Sequence, residues 1–244
     1  MRLKIDSQSA LLASHSKVML TVLIFFIALI PATLWVSARD VAAKPLCDTN
    51  CNLTQYGVQP IARGSFYGNQ GRNTTTDPAV CDDHQPGESD FVNSIYVYRN
   101  GIDGVELGWL EEADGVGRRF FGVRVMNGYY QRHVYDFVSP STNHTYKLVS
   151  EIVPGGDKQW RYYVDDSQKD VWFHLFDAGP EIAAAQERHS RSDSGQTHWW
   201  NLKYANYSRV FSPWPNWSYV YDNDPDYRSC KISNTEFWVK TSCN

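Results

Sequence analysis

Hydrophobic and polar residues alternate in short runs along the chain from about Ser94 onward. Each run is rich in β-branched and aromatic residues, and no long helical period is present, which is typical of strands. The predicted strands are Ile95–Tyr98, Val105–Leu110, Phe120–Met126, Tyr129–Val138, Thr145–Ile152, Trp160–Asp165, Val171–Phe176, Ala183–His189, His198–Tyr204, Trp217–Tyr221 and Thr235–Lys240.

Turn-forming residues separate these runs. Asn100-Gly101, Asp114-Gly115 and Asn127-Gly128 are strong hairpin signals, because Asn, Asp and Gly tolerate a positive φ. Only Glu181–Glu187, with its three alanines, is ambiguous between helix and strand. About ten short strands with this punctuation predict an all-β fold, an antiparallel β-sandwich or barrel.

The first 43 residues have the layout of an export signal. Arg2, Lys4 and Lys17 precede the apolar stretch Val18–Ile30, and small residues suited to signal-peptidase cleavage follow it. The whole uncharged stretch Val18–Ala38 is also just long enough to cross a bilayer, so an uncut membrane anchor is the alternative. In both cases we expect the rest of the chain to lie outside the cytoplasm.

Three segments follow from this pattern. Residues 1–43 are predicted to be a signal peptide or membrane anchor. Residues 44–92 are rich in Gly, Asn, Thr, Pro and Asp without a sustained period, and we predict a loop-rich leader. Residues 93–244 are predicted to form one β-sandwich domain.

Composition narrows the class of partner. The net charge is −4 with both signs interspersed, so the basic patch of a nucleic-acid-binding protein is absent from the sequence. Aromatic residues make up 14% of the chain, which suits pleated strands and surfaces that contact sugars or peptides. We therefore expect an extracellular polypeptide or glycan as partner, no nucleic acid, and membrane contact only through an uncut N-terminal segment.

Five cysteines follow the apolar segment, and outside the cytoplasm they favour disulfides. Cys230 and Cys243 bracket a short predicted strand and are expected to pair. Cys47, Cys51 and Cys81 can share one further bond, with one thiol left over. Zinc is the less favoured alternative because no CxxC pair is present, so we predict no metal and no cofactor.

Two segments resemble the paired strands of concanavalin-A-like jelly rolls, a superfamily that includes laminarinase-type glycoside hydrolases and laminin-G-like binding modules. They are His144-Thr145-Tyr146-Lys147-Leu148 and Trp160-Arg161-Tyr162-Tyr163-Val164-Asp165-Asp166. The resemblance implies a jelly-roll fold preceded by the signal or anchor segment and the leader. Asp166 replaces the usual glycine, and the E-x-D-x-x-E strand of the laminarinase-type enzymes is absent, which argues against a glycosidase.

A second, sparser resemblance concerns chemistry. Gly104-Val105-Glu106-Leu107-Gly108-Trp109 is similar to the I-E-x-G-W strand of neprosin-type prolyl peptidases, and Phe120-Phe121 and Asn127-Gly128-Tyr129-Tyr130 follow in the same order. Ala185-Gln186-Glu187-Arg188 stands where those proteins have G-G-E and fungal glutamic peptidases have A-E-W. The resemblance implies a catalytic pair, Glu106 and Glu187. The paired glycines are missing here, and uncharacterised secreted bacterial proteins share the pattern.

Strand periodicity makes this pair chemically reasonable. Glu106 falls on the face opposite Val105 and Leu107, and Glu187 shares a face with small alanines. Two carboxyls brought close cannot both ionise easily, so one would hold a proton and the other could activate water, with activity in acid. The alternative is that both are solvated charges, paired with Arg124 and Arg188.

Other features support different interpretations. Trp199, Trp200, Trp214 and Trp217 are predicted ligand-binding residues, since flat aromatic rings stack on sugars or proline, whereas the alternative places them in the core. The acidic run Asp222–Asp226 does not fit an EF-hand, which leaves a simple loop site for calcium or a solvated turn. The sequence thus favours an acid-acting paired-glutamate peptidase, and the alternative is a non-catalytic carbohydrate- or cell-surface-binding jelly-roll module.

Overall fold

The fold is described from a computed structural model, which covers residues 56–80, 90–100, 102–112, 117–189, 193–216, 219–222 and 224–243 for this purpose. The predicted signal or anchor segment lies outside the described residues, as do Cys47, Cys51, Cys81 and Trp217. Within the described ranges no helix is long and apolar enough to cross a membrane.

All regular structure in these ranges is β-strand. The strands are β1 (Tyr56–Phe66), β2 (Gly68–Thr74), β3 (Asp90–Asn100), β4 (Asp103–Glu112), β5 (Arg119–Met126), β6 (Tyr129–Phe137), β7 (Asn143–Ile152), β8 (Lys158–Val164), β9 (Ser167–Phe173), β10 (Gly179–Arg188), β11 (Thr197–Ala205), β12 (Phe211–Pro213), β13 (Tyr219–Asp222), β14 (Arg228–Ser233) and β15 (Glu236–Lys240).

The strands form two antiparallel sheets. The first sheet has the order β13-β1-β10-β3-β4-β5-β6, and the second has the order β14-β15-β11-β2-β7-β8-β9, with β12 paired to β11. Their inner faces pack against each other around a core that includes the fully buried rings of Trp109, Trp160 and Trp199. The prediction of an all-β antiparallel sandwich is confirmed.

Two strands lie inside the segment that we predicted to be a loop-rich leader. Residues 56–66 form β1 and residues 68–74 form β2, and each lies inside a sheet rather than at its edge. The leader prediction for residues 44–92 is therefore wrong over this part. In β2 the core-facing positions are held by Asn69, Gly71 and Asn73, whereas in β1 the buried apolar residues Val58, Ala62 and Phe66 do not follow a regular alternation. The ambiguous segment Glu181–Glu187 is strand, as part of β10.

Two hairpin turns contain residues with a positive φ, and one of them lacks the glycine that the jelly-roll motif usually has there. Asn127 and Gly128 both have positive φ between β5 and β6, as the hairpin signal predicts. Asp165 and Asp166 also have positive φ, at 50° and 62°, between β8 and β9. Aspartate tolerates this left-handed region better than most residues, so the turn forms without the usual glycine.

The predicted disulfide is present. Cys230 lies in β14 and joins Cys243, which follows β15, so the bond closes the C-terminal hairpin. Cys230 belongs to the edge strand of the second sheet.

Candidate active site

The two predicted glutamates lie on the outer face of the first sheet. On β4, Glu106 pairs with Tyr96 of β3 and Val123 of β5, while on β10 Glu187 pairs with Val92 of β3. Only β3 separates their strands. Antiparallel pairing therefore brings together two residues that are far apart in the sequence.

A row of small residues lies between the two glutamates. Ala185, Ser94 and Gly108 are direct register partners across β10, β3 and β4. Along β4 Gly108 is two residues from Glu106, and along β10 Ala185 is two residues from Glu187, so all share one face. Side chains this short leave space above the sheet at the point the two carboxyls flank.

A cavity of about 210 Å³ lies beside this row, over β4 and β5, and both Glu106 and Glu187 line it. Its walls include the aromatic rings of Tyr96, Tyr98 and Tyr130. Each glutamate side chain is only partly exposed. The structure thus brings the predicted pair to one cavity, and their catalytic role stays a prediction.

Tyr96 links the two carboxyls. It is 5% exposed, and its hydroxyl donates a short hydrogen bond to Oε1 of Glu187. The same hydroxyl also favours the charged form of Glu106, which lies opposite Tyr96 in the register. Tyr98 stacks on Tyr96 with ring centroids 5.2 Å apart, and this contact restrains the Tyr96 ring.

Burial and the neighbouring charge of Glu187 raise the pKa of Glu106 to about 8. The hydroxyls of Ser94 and Tyr96 and the charge of Arg132 oppose this rise but are outweighed. Glu106 therefore holds its proton at neutral pH.

The pKa of Glu187 is also raised by burial. The hydrogen bond from Tyr96 and the electrostatic interaction with His189, on the same face, act in the opposite direction. When the pair carries one proton, these two groups favour Glu187 as the charged member. In this state Glu106 is therefore the protonated member.

Neither arginine proposed as a partner for a solvated glutamate serves that purpose. Arg124 donates to Gln131, and its guanidinium lies over the Trp172 ring. Arg188 follows Glu187 in β10, and its side chain points to the opposite face of the sheet.

Arg188 binds the acidic run that we considered as a calcium loop. Its guanidinium bonds both oxygens of Asp224 at 2.7 Å and contacts Asp226 at 2.5 Å. Arg188 and Asp224 are almost fully buried whereas Asp226 is half exposed, so Asp224 at least is held in an ion pair and is neither solvated nor free to bind calcium. No group of three or more metal-binding side chains is present in the described part of the chain.

Three of the four tryptophans predicted to bind a ligand lie in the described residues, and they have different environments. Trp199 and Trp214 are buried in the core, where the Trp214 indole donates to Asn69, so neither offers an exposed ring. Trp200 is partly exposed on the outer face of the second sheet, where His198 stacks on it and Arg72 lies over its ring.

Sequence reasoning missed Tyr96, Tyr98 and Ser94. All three lie in β3, which we predicted as the shorter strand Ile95–Tyr98 from its apolar residues alone. The Asn-Gly signal after this strand predicts a hairpin with β4, and that pairing would have placed Tyr96 near Glu106. Its contact with Glu187 depends on β10, for which the sequence contains no pairing signal.

Comparison with known proteins supports the fold. No protein-family model and no curated protein matches the chain. Solved structures with the same architecture include scytalido-glutamic peptidase with a peptide-based transition-state analogue, at 8% identity and a TM-score of 0.52 over 77% of this chain and 98% of that one. Another is SCP-B of the Eqolisin family of peptidases, bound to the tripeptide Ala-Ile-His, at 9% identity and a TM-score of 0.50 over the same shares.

Structures with lower TM-scores also match. They include a carbohydrate-binding module, CBM66 from Bacillus subtilis, at 13% identity and a TM-score of 0.36 over 56% of this chain and 80% of that one. The chain has the concanavalin-like jelly-roll fold that its sequence resembles. At these identities the likeness concerns the fold alone.

Proposed function

We propose that this protein is a secreted peptidase of the glutamic type, in which Glu106 and Glu187 form the catalytic pair. The observation that carries the proposal is that two partly exposed carboxyls line one cavity and share contact with the Tyr96 hydroxyl. Paired carboxyls with unequal surroundings are the arrangement that supplies an acid and a base from the same residue type.

The surroundings assign the two roles. Glu106 is the acid, because burial and the charge of Glu187 keep it protonated at neutral pH. Glu187 is the base, because the Tyr96 hydroxyl and His189 favour its charged form. Each group then has the protonation state its step requires.

Hydrolysis follows from these roles. Glu187 removes a proton from a water molecule, whose oxygen attacks the carbonyl carbon of the peptide bond. Glu106 donates a hydrogen bond to the carbonyl oxygen and then transfers its proton to the leaving nitrogen. The carbon–nitrogen bond breaks, the acyl product gains the hydroxyl, and the proton on Glu187 returns to Glu106 or to solvent.

The fold and the disulfide support this proposal. Two solved peptidases with the same architecture hold peptide ligands. The Cys230–Cys243 disulfide suits an oxidising compartment, which agrees with the export signal in the sequence. The partner that we propose is therefore an extracellular polypeptide.

The directions of the pKa shifts of Glu106 and Glu187 predict the pH range of activity. Activity requires Glu187 to be charged, so it falls when the pH drops below the pKa of Glu187, which burial raises above 4.5. It also requires Glu106 to be protonated, so it falls as the pH rises through about 8. The expected optimum is mildly acidic to neutral, less acidic than the sequence alone suggests.

The experiment is a cleavage assay on an unfolded protein substrate between pH 3 and pH 9. We expect Glu106→Gln and Glu187→Gln each to lower kcat by at least about 100-fold, as for loss of a general acid or base. Glu151→Gln is the matched control, because Glu151 lies on the other sheet in a surface ion pair with Arg161. Full activity in either site variant, or no cleavage by the folded native protein, would contradict the proposal.

The glycan-binding alternative has less support from the described residues. Of its four predicted aromatics, Trp199 and Trp214 are in the core and Trp217 lies outside the described ranges. The remaining ring, Trp200, is in contact with His198 and Arg72, which cover part of the surface that a sugar would need.

A further inference from the structure

A second cavity adjoins the candidate active site. It has a volume of about 280 Å³ and lies over the middle of β1, the end of β3 and the start of β10, on the same outer face. Tyr98 lines both cavities, so the two are neighbours on this face.

The inner wall of this second cavity is apolar. Ile61 and Tyr98 belong to a small hydrophobic cluster that also contains Tyr96 and the alanines at 183 and 185. Pro180 adds a further apolar surface at the start of β10. Apolar walls of this kind favour a ligand group that leaves water on binding.

Several polar groups at the rim have partners within the protein. Glu181 forms an ion pair with Arg63 at 2.6 Å. Asn100 donates to Asp103 at 3.1 Å, and Arg99 lies 3.8 Å from the same aspartate. The charged groups of the rim thus have ionic partners within the chain, and we base the expected preference on the apolar wall.

The second cavity lies at a distance from the row between the carboxyls that an extended peptide can span. Ala185 marks the row between the two carboxyls, and Glu181 in the second cavity is four residues away along β10. Four residues of strand span about 13 Å, and a bound extended chain has nearly the same rise per residue. A peptide parallel or antiparallel to β10 would therefore reach the second cavity about four residues from its cleaved bond.

We propose that the second cavity is a specificity site that binds an apolar or aromatic side chain of the substrate, about four residues from the bond that is cleaved. The proposal rests on the peptidase function above and deepens it, because it names the class of polypeptide the enzyme prefers. The substrate is an extended chain with a hydrophobic residue at a fixed distance from the cleavage point.

The test uses the native protein and a peptide library randomised at the five positions on each side of the cleaved bond. We expect enrichment of apolar or aromatic residues at one position three to five residues from that bond. In matched peptides, Leu in place of Asn at that position should raise kcat/KM by at least about tenfold. Peptides truncated before the position should lose the same advantage.

Two variants tie the preference to this cavity. Ile61→Thr should lower the preference severalfold, mainly by raising KM, because it places a hydroxyl in the apolar wall. Gln59→Trp should abolish it by filling the cavity from β1, at a residue that is partly exposed and tolerates a larger side chain. Ile232→Thr is the matched control, since Ile232 is exposed on β14 of the other sheet and the preference should be unchanged.

The possible outcomes separate the two proposals. Cleavage without preference at these positions, or a preference that survives both cavity variants, would overturn the specificity site while leaving the peptidase function in place. Absence of cleavage by the folded native protein, or cleavage that persists in Glu187→Gln, would overturn the peptidase function and this site with it.

Discussion

The raised pKa of Glu106 has a consequence for stability that requires no substrate. In the unfolded chain Glu106 has a pKa of 4.5, and in the native state burial and the charge of Glu187 raise the pKa to about 8. Between these two values the native state holds a proton that the unfolded state has lost. The stabilisation is fully present below pH 4.5, and it is lost as the pH rises through about 8.

The size of this effect follows from the same two values. Each pH unit between them corresponds to about 1.4 kcal/mol, so the full interval gives an upper bound of about 5 kcal/mol. Glu106 remains partly exposed, and solvent screening lowers the expected loss to about 2–4 kcal/mol. Because small domains are stable by only about 5–15 kcal/mol, this loss is readily measured.

The perturbation is Glu106→Gln, since glutamine mimics the protonated side chain at every pH. We expect the variant to match the native protein in free energy of unfolding near pH 4.5, and to exceed it by about 2–4 kcal/mol near pH 8.5. The same variant should lose activity, so stability and function should change in opposite directions. The assay is urea denaturation of the purified protein at intervals of half a pH unit.

The control and the refuting result use the same assay. Glu151→Gln removes a carboxylate from a surface ion pair with Arg161, and its effect should stay within about 1 kcal/mol at every pH. A difference between Glu106→Gln and the native protein that does not vary with pH would refute the reasoning, because it would mean that Glu106 titrates alike in both states.

Two further predictions concern the groups around the pair. Tyr96→Phe removes the hydrogen bond to Glu187, so the pKa of Glu187 should rise and the acid-side fall in kcat/KM should move upward by about one pH unit; an unmoved pH profile would contradict this role. Gly108→Ala would place a Cβ 1.9 Å from the carbonyl oxygen of Asn93, so β3 and β4 must separate. We expect a loss of about 1–3 kcal/mol in denaturation experiments together with lower activity, and an equally stable, active variant would show that the close approach is unimportant.

Strands with the ordinary alternating pattern could be predicted from the sequence, and β2 could not. The residues of β2 that face the core are Asn69, Gly71 and Asn73 rather than apolar side chains. Asn69 bonds the backbone oxygens of Tyr96 and Ala183 in the facing sheet. These polar groups are satisfied only by partners far away in the sequence, so no local pattern reveals them.

Only part of the candidate site could be predicted from the sequence, because local patterns do not show which distant strands pair. Glu106 could be assigned to the outer face from the alternation in β4, because Val105 and Leu107 mark the inner face. Its meeting with Glu187 depends on β10 lying directly beside β3, a long-range pairing that short-range turn signals do not specify. The resemblance to peptidase motifs, and not the periodicity, selected Glu187.

The site depends on the pairing register of β10, because the register decides which face of the sheet Glu187 occupies. The contacts of Arg188 fix that register. A one-residue slip would exchange the two faces of the strand, turning Glu187 into the core and Arg188 out to the cavity. That slip would break the buried contacts of Arg188 with Asp224 and Asp226 and its packing over the Tyr227 ring. Separating one partner from a buried ion pair costs about 3–5 kcal/mol, and burying the Glu187 carboxylate without a partner adds to that cost. The acidic run near the C-terminus therefore acts on the site through the backbone, because the ion pair that it forms holds Glu187 on the face where Tyr96 and Glu106 meet it.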